Sequence, residues 1–311
     1  MKAALAFDTS NYTTSVALFS PAGQAQARKL LEVPSGMLGL RQQDALFQHV
    51  RQLPELAQEL MEGARPEISA VGASTAPREA EGSYMPCFLA GAGQGCTVAQ
   101  TLGVPFYPWS HQQGHLAAAA WSAERLELLD RPFLAWHLSG GTTELLKVEP
   151  KGQAVTAEVI GGTTDISAGQ LIDRTGVLVG LDFPAGKALD VLARGASGKC
   201  KPFSVKTDGL RFSLSGMENK VKALVEAGEE KEEIAAFVLN TLAQVLEKVT
   251  KEARTSYPDR EVLCSGGVAS NTLLHARLGA DGAVFSTPEY AADNAMGVAI
   301  LTYRAWEAQY G

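Results

Sequence analysis

Two histidines, His111 and His115, stand four positions apart in HQQGHLAAAAW, a run with helical composition. Side chains at i and i+4 share one helix face, so the pair can chelate one metal ion through ring nitrogens. A zinc protease of the H-E-x-x-H type places its glutamate base directly after the first histidine. Gln112 stands there, which argues against that chemistry. The alternative is two unrelated histidines, and a third ligand would decide between them. Asp293, in Ala292-Asp293-Asn294-Ala295-Met296, is the candidate, at the expected opening of the last helix; an N-cap aspartate is the alternative there.

Two glycine pairs follow apolar strand patterns. Ser139-Gly140-Gly141-Thr142-Thr143 lies between two of them, where paired glycines allow positive φ and close backbone approach to a ligand. Successive N–H groups in such a turn can hold an anion, with the preceding Leu138 as the last strand residue. Ser265-Gly266-Gly267-Val268-Ala269-Ser270-Asn271 reads as strand, turn and helix start, where backbone donors favour an anion or a polar ring edge. The alternative is a tight connection with Ser270 or Asn271 as N-cap. At the N-terminus, Asp8-Thr9-Ser10-Asn11 forms a hydroxyl-rich tip between strands 2–7 and 14–20, closed by a turn at Pro21-Ala22-Gly23.

The elements needed to position these residues can be read from periodicity and punctuation. Helices are expected at 41–63 (interrupted by Pro54), from the Gly91–Gly95 segment to Gly103, and from Ser110 onward. Further helices are expected at 166–180, 184–194, 216–228, 231–255, 269–278 and from Ala292. Additional strands are expected at 68–73, 104–107, 133–138, 144–148 and 261–264. The hairpin at 133–148 repeats the layout of the N-terminal one, the mark of a duplicated domain. The whole looks like the α/β actin-like ATPase architecture, two ribonuclease-H-like lobes with a central cleft. An N-terminal lobe over 1–128 and a C-terminal nucleotide-binding lobe over 129–311 are expected, with the last helix packing back on the first lobe.

Composition narrows the class. At 311 residues, 46% hydrophobic and 20% charged, the chain suits two ordinary globular domains. No signal-peptide pattern or bilayer-length apolar run is present, so a cytoplasmic location without membrane contact is expected. Cys87, Cys96, Cys200 and Cys264 have no C-x-x-C spacing, and most of them read as small buried side chains rather than redox groups. A net charge of −7 argues against a dedicated nucleic-acid module. A local patch remains open: Lys199, Lys201, Lys206, Arg211, Lys220 and Lys222 lie in one stretch, either an RNA contact or a solvated face.

In their order and intervals these motifs resemble the TsaD family of tRNA N6-adenosine threonylcarbamoyltransferases along nearly the whole chain. The family's H-x-E-G-H helix is similar to His111–His115, its V-S-G-G-x-T hairpin to Leu138–Thr143, and its D-x-x-A-G-x-x-x-D helix to Asp165–Asp173. Its Y-P-G-G turn resembles Phe183-Pro184-Ala185-Gly186 and its F-S-F-S-G-L segment resembles Phe212–Met217. Its G-G-V-x-x-N motif resembles Gly266–Asn271, and its D-N-x-x-M start resembles Asp293–Met296. The resemblance implies one divalent metal, iron or zinc, on His111, His115 and Asp293. It implies threonylcarbamoyl-AMP, or ATP or ADP, on Leu138, Ser139, Gly140, Gly141, Thr142, Asp173, Gly186, Gly266, Gly267 and Asn271, with Asp8 and Ser10 near the reactive end. The implied activity transfers threonylcarbamoyl to the adenosine beside the tRNA anticodon, with partner proteins docking on faces such as 41–63 and a homo- or heterodimer as the assembly.

Three departures from the family pattern stand out. The first hairpin reads D-T-S-N-Y-T-T where the family has E-T-S-C-D-E-T. Pro77–Pro86 replaces N-P-G-L-x-G-S-L, and Gln113 replaces an acidic residue. They give a second expectation, a nucleotide- and metal-binding paralogue with a scaffold or regulatory role or a different carbamoyl acceptor.

Overall fold

The computed structural model describes residues 2–10, 12–33, 40–63 and 66–311. Asn11, part of the expected first turn, lies outside them. Two compact units are present: Met1–Arg131 with Glu149–Ala157 and Ala292–Gly311, and Pro132–Val148 with Glu158–Ala291.

The first unit holds β1 (Lys2–Thr9), β2 (Thr13–Ser20), β3 (Gly23–Leu30), α1 (Gln42–Gly63), β4 (Glu67–Ala76), α2 (Phe88–Leu102), β5 (Phe106–Ser110) and α3 (His111–Ser122). Its sheet runs β3-β2-β1-β4-β5, with β1 antiparallel to β2 and parallel to β4. Every residue of β2 and all of β1 beyond Lys2 are buried, so both faces are covered, as in sheets flanked by helices. Leu5, Phe7, Val16, Leu18, Leu53 and Val71 anchor that core.

Three local readings are corrected here. The chain after Pro21-Ala22 continues as a third strand, β3, whose polar sequence GQAQARKL is mostly exposed at the sheet edge and leaves no apolar alternation to detect. Gly91, Gly93 and Gly95 lie inside α2 rather than ahead of it. Gly91 and Gly95 pack closely: a Cβ there would sit 3.0 Å from Thr9 Oγ1 and 3.0 Å from the Phe106 ring, respectively. The last helix, α9 (Met296–Tyr310), starts four residues later than expected from Ala292.

The second unit continues with β6 (Phe133–Leu138), β7 (Thr143–Lys151), β8 (Ala154–Thr163), α4 (Ala168–Leu178), α5 (Gly186–Ala193), β9 (Thr207–Asp208), β10 (Arg211–Phe212), α6 (Ser215–Glu226), α7 (Lys231–Ser256), β11 (Val262–Ser265), α8 (Thr272–Ala280) and β12 (Ala283–Phe285). The outer ends of β7 and β8 belong to the first unit. The sheet order is β12-β11-β6-β7-β8-β10-β9. β11 runs parallel to β6, and β10 parallel to β8. β8 is absent from the sequence reading. Its pattern, AVTAEVIGGT, has a half-buried middle with no strict alternation and carries two glycines before its last residue, where a strand signal fades. The core gathers Trp136, Leu171, Leu189, Leu239, Leu242 and Leu246. The buried Trp136 ring needs a partner for its N–H, and Nε1 donates to Thr250 Oγ1 at 2.8 Å.

Glu233, on the first turn of α7, is fully buried. It accepts from the Ser197 backbone and hydroxyl, the Gly198 N–H and the Cys200 N–H. The Cys200 N–H leads in holding this carboxyl down at about 2, against an ordinary 4.5. A carboxylate depressed on folding contributes stability that is complete above its unfolded pKa and is lost as pH falls through the folded one. Glu233→Gln is therefore expected to flatten the fall in thermal stability between pH 4.5 and 2. Melting curves across that range check it; an unchanged pH slope would remove Glu233 as its source.

Candidate functional site

Helix α3 begins on a capping box: Ser110 Oγ accepts from Gln113 N while Gln113 Oε1 accepts from Ser110 N. The box fixes the first turn, and His111 and His115 leave the same face of it. Their Nε2 atoms lie 2.9 Å apart. Asp293 Oδ1 is 3.6 Å from the first and 3.2 Å from the second. One ligand atom from each residue falls within 4.8 Å of the others. Asp293 is not an N-cap. Asn294 Oδ1 takes the Met296 N–H at the start of α9, which leaves the Asp293 carboxylate turned to the histidines.

Two glycines make this convergence possible. Gly114 lies between the histidines and Gly297 is the second residue of α9. A Cβ on Gly297 would come 1.8 Å from Gly114 O and 2.8 Å from Ala118 N. A Cβ on Gly114 would meet Val298 Cγ2 at 2.9 Å. The two helices thus cross backbone to backbone, and the segment just before α9 is delivered to the α3 histidines.

Asp8 and Ser10 stand behind these three side chains. Asp8 Oδ2 takes the His111 Nδ1 proton at 2.7 Å. In the neutral ring this puts the proton on Nδ1 and makes Nε2 the nitrogen that faces His115 and Asp293, the outer carboxylate–histidine arrangement of metal sites. Asp8 is buried, and its Oδ1 has no hydrogen-bond partner among the described residues. Ser10 Oγ donates to Asp293 Oδ2 at 2.6 Å. Burial opposes charge on His111, but Asp8 and then Asp293 outweigh it and raise its pKa well above the ordinary value. Burial likewise opposes charge on Asp293, and both histidines overcome it to hold that carboxyl well below its usual range. Two carboxylates this enclosed call for positive charge, and a nitrogen, nitrogen and oxygen donor set with an anchored outer partner fits a divalent transition metal.

His49 escaped the sequence reading. It is fully buried on α1, with Nε2 at 2.8 Å from Ser10 O and Nδ1 at 2.8 Å from Thr14 Oγ1. Burial lowers its pKa, against the Ser10 carbonyl and Asp8. The neutral ring donates from Nε2 to Ser10 O, so His49 fixes the backbone that carries the Ser10 hydroxyl. A buried histidine inside an amphipathic helix has no distinguishing spacing.

The departure at Gln113 has a structural partner. Its Nε2 donates to Glu79 Oε2 at 3.1 Å and to Val155 O at 2.9 Å. A carboxylate at 113 could make neither bond and would repel Glu79. Glu79 belongs to the altered Pro77–Pro86 segment, so the two departures accommodate each other.

The glycine turns lie in the second unit, at the C-terminal ends of β6 and β11. Ser139 N donates to Thr142 O at 2.8 Å and Thr142 N to Ser139 Oγ at 3.0 Å, closing the turn after Leu138. Gly140 and Gly141 are exposed with open space where a Cβ would be. Neither has positive φ, which corrects the expectation drawn for that pair; they leave the hairpin bare rather than bend it. The tight glycines are neighbours. Gly169 abuts Gly140, where its Cβ would lie 2.5 Å from Cα. Gly266, at φ +92, passes 2.2 Å (as a Cβ contact) from Leu138 O. Gly267 beyond it is exposed and open.

The remaining expected residues are engaged within the protein. Asp173 Oδ1 accepts from Ala185 N at 2.8 Å, which ties the turn that starts α5 at Gly186. Asn271 is the N-cap of α8: Oδ1 accepts from Leu273 N and Leu274 N, and Nδ2 donates to Asp190 Oδ1 at 2.8 Å. The helix expected from Ala269 accordingly begins at Thr272, after a 3-10 turn. Asp165 is a further organising residue. It accepts from Ser213 Oγ, Leu214 N and Ser215 N, joining the end of β8 to the start of α6. Although burial opposes it, the Ser213 hydroxyl and these N–H groups hold its pKa well down.

A family model described as TsaD, tRNA N6-adenosine threonylcarbamoyltransferase, matches residues 36–300. The chain belongs to that family. A TsaD relative from Streptococcus pneumoniae (strain Taiwan19F-14), named tRNA N6-adenosine threonylcarbamoyltransferase, is 30% identical over 291 residues, covering 89% of this chain and 83% of that protein. One of the same name from Polaromonas naphthalenivorans (strain CJ2) is 31% identical, covering 75% of this chain and 65% of that protein. Among solved structures, full-length HypF in a phosphate- and nucleotide-bound form aligns with a TM-score of 0.60 at 15% identity, covering 99% of this chain and 56% of HypF. Component A of the Acidaminococcus fermentans (R)-2-hydroxyglutaryl-CoA dehydratase aligns at 0.56 and 14% identity, covering 99% and 100%. At such identities these neighbours speak for the fold, which is that of the actin-like ATPases. Among the described residues no helix is long and apolar enough to cross a membrane.

Proposed function

We propose that this TsaD-family chain is a tRNA N6-adenosine threonylcarbamoyltransferase whose His111, His115 and Asp293 hold one divalent metal, iron or zinc. The observation that carries the reading is the convergence of those three ligands with Asp8 and Ser10 already hydrogen-bonded behind them. The adenosine N6 amine attacks the carbamoyl carbon of threonylcarbamoyl-AMP. A C–N bond forms, the C–O bond of the mixed anhydride breaks, AMP leaves with the electron pair and the amine proton passes to solvent. The metal, when bound, supplies a Lewis acid for the carbamoyl oxygen. No side-chain nucleophile is required, because AMP is already a good leaving group.

The protein's own residues then do the positioning. Asp8 keeps the His111 proton on Nδ1, and Ser10 holds one oxygen of Asp293 so that the other faces the histidines. The open hairpin at Ser139–Thr142, with exposed Gly267, offers backbone and hydroxyl donors to the AMP portion. Asp173, Gly186 and Asn271 shape the turns and helix starts around it. Partner proteins on the exposed side of α1 and a cytoplasmic setting belong to this reading. No observation favours a scaffold role over it.

The test supplies threonylcarbamoyl-AMP and tRNA, with and without the partner proteins of the pneumococcal relative, and measures N6-threonylcarbamoyladenosine in nuclease digests by mass spectrometry. Formation of the modified nucleoside is expected. Its absence while the pneumococcal protein produces it would overturn the reading. Ser10→Ala, which frees Asp293 but removes no ligand, is expected to weaken zinc binding by about tenfold, the low end for an outer partner. Equilibrium dialysis checks this, and full affinity in a folded variant would show that Ser10 does not position the aspartate.

A further inference from the structure

The segment 199–222 carries six cations and two acids in a chain of net charge −7. Of these acids, Glu218 is occupied by Lys222 at 3.0 Å and Arg174 at 2.7 Å, and Asp208 lies opposite Arg211 across the β9–β10 pair. Lys199, Lys201, Lys206 and Lys220 are exposed, and no ion pair to them is found among the described residues. Phe203 is 38% exposed in the middle of the segment, with the Lys220 ammonium 4.0 Å from its ring.

A solvated lysine face needs no internal support, yet this loop is firmly held. Glu233 grips the backbone at 197, 198 and 200 from beneath. Thr241 Oγ1 accepts from Phe203 N at 2.9 Å, and Val205 is buried. The charged side chains therefore project from a fixed backbone, so little ordering is lost on binding.

Its place in the sheet is equally specific. Lys206 precedes Thr207, which pairs with Phe212. Ser213, next in sequence, is bonded to Asp165, and Ser167 donates to Gly140 O at 2.6 Å. The basic segment is thus linked by consecutive bonds to the bare glycine hairpin, all within one unit. Cations around an exposed aromatic ring suit the backbone and bases of RNA.

We infer that residues 199–222 form the RNA-docking surface of the second unit, with Lys199, Lys201 and Lys206 on phosphates and Phe203 against a base or ribose. The inference rests on the tRNA-modifying reading above and assigns it a surface outside the metal cluster and the hairpin.

The experiment measures binding of fluorescent tRNA to the full chain across a salt series, for the wild type, Lys201→Glu/Lys206→Glu, Phe203→Ala and a charge-matched control in the first unit, Lys29→Glu/Arg51→Glu. AMP affinity is measured on each as a check on the fold. The Lys201/Lys206 variant is expected to bind at least about tenfold more weakly and to lose about 1.5 to 2 from the log–log salt slope. Phe203→Ala is expected to lose about fivefold or more, within the range of one base stack, with an unchanged slope. The control should resemble the wild type. Wild-type tRNA affinity in the Lys201/Lys206 variant, equal loss in the control, or no tRNA binding by the wild type would each overturn the surface. The modified-nucleoside assay judges the transferase reading separately: product formed by a variant that ignores the patch sinks the patch alone.

Discussion

His111→Ala is expected to leave a folded protein that no longer retains its metal. On the metal-binding reading His111 offers one of three ligand atoms, and its Nδ1 donates to the buried Asp8 carboxyl, so the substitution removes a ligand atom and leaves a buried polar group without that partner. Outer partners of metal ligands contribute about 10- to 100-fold in affinity. Loss of a ligand should exceed that range, taking metal content from near one equivalent to near none and modified nucleoside with it. Asp8→Asn provides the graded comparison, about 10- to 100-fold weaker binding with the ligand set intact. Elemental analysis after gel filtration, with zinc competition titrations, reads both. Full metal content in His111→Ala would remove this cluster from the account of function.

Gly297→Ala should be the most damaging single methyl group in the first unit. The added carbon would overlap the Gly114 carbonyl at 1.8 Å and press on Ala118 N at 2.8 Å. Both contacts are backbone, so no side-chain rotation relieves them and α9 must move off α3. Overpacking costs about 1 to 3 kcal/mol, and here the upper end applies. About 3 kcal/mol corresponds to a fall of roughly 6 to 12 °C in melting temperature for a unit of this size. Asp293 moves with α9, so zinc affinity should fall as well. Gly93→Ala is the matched control: it also lies inside a helix, but nothing stands within 4 Å of the new carbon. Equal melting temperatures for the two variants would show that the helix crossing is looser than described.

These tests also mark what could be read from the sequence. The β1–β2 and β6–β7 hairpins, most helices and the shared face of His111 and His115 were legible because each has a local signature: alternation, 3.6-residue periodicity, or i and i+4 spacing. The polar edge strand β3 and the half-buried β8 were not, since their strand character depends on neighbours in the sheet. Asp293 was singled out as the opener of the last helix, which in fact begins at Met296 after Ala295, and only the fold brings it beside the two histidines. The paired glycines were noticed for their φ freedom, whereas Gly140 and Gly141 matter for being bare and Gly169 and Gly266 for being close to backbone. Gly114 and Gly297 illustrate the limit most clearly. Each is unremarkable alone, and their meaning is a contact between residues far apart in the chain. His49 is invisible for the same reason, because only the fold brings it under Ser10.

The first unit is assembled from distant parts of the chain, with Asp8 and Ser10 near one end, the histidines on α3, and Asp293 just ahead of α9. On the ribosome this ordering has a temporal consequence. The strands β1, β2 and β4, against which α9 packs, emerge long before it, while all of the second unit is translated in between. A nascent chain must keep that apolar sheet surface from aggregating until α9 arrives. Asp293 lies just ahead of α9, so the cluster of His111, His115 and Asp293 is complete only after the second unit has been made.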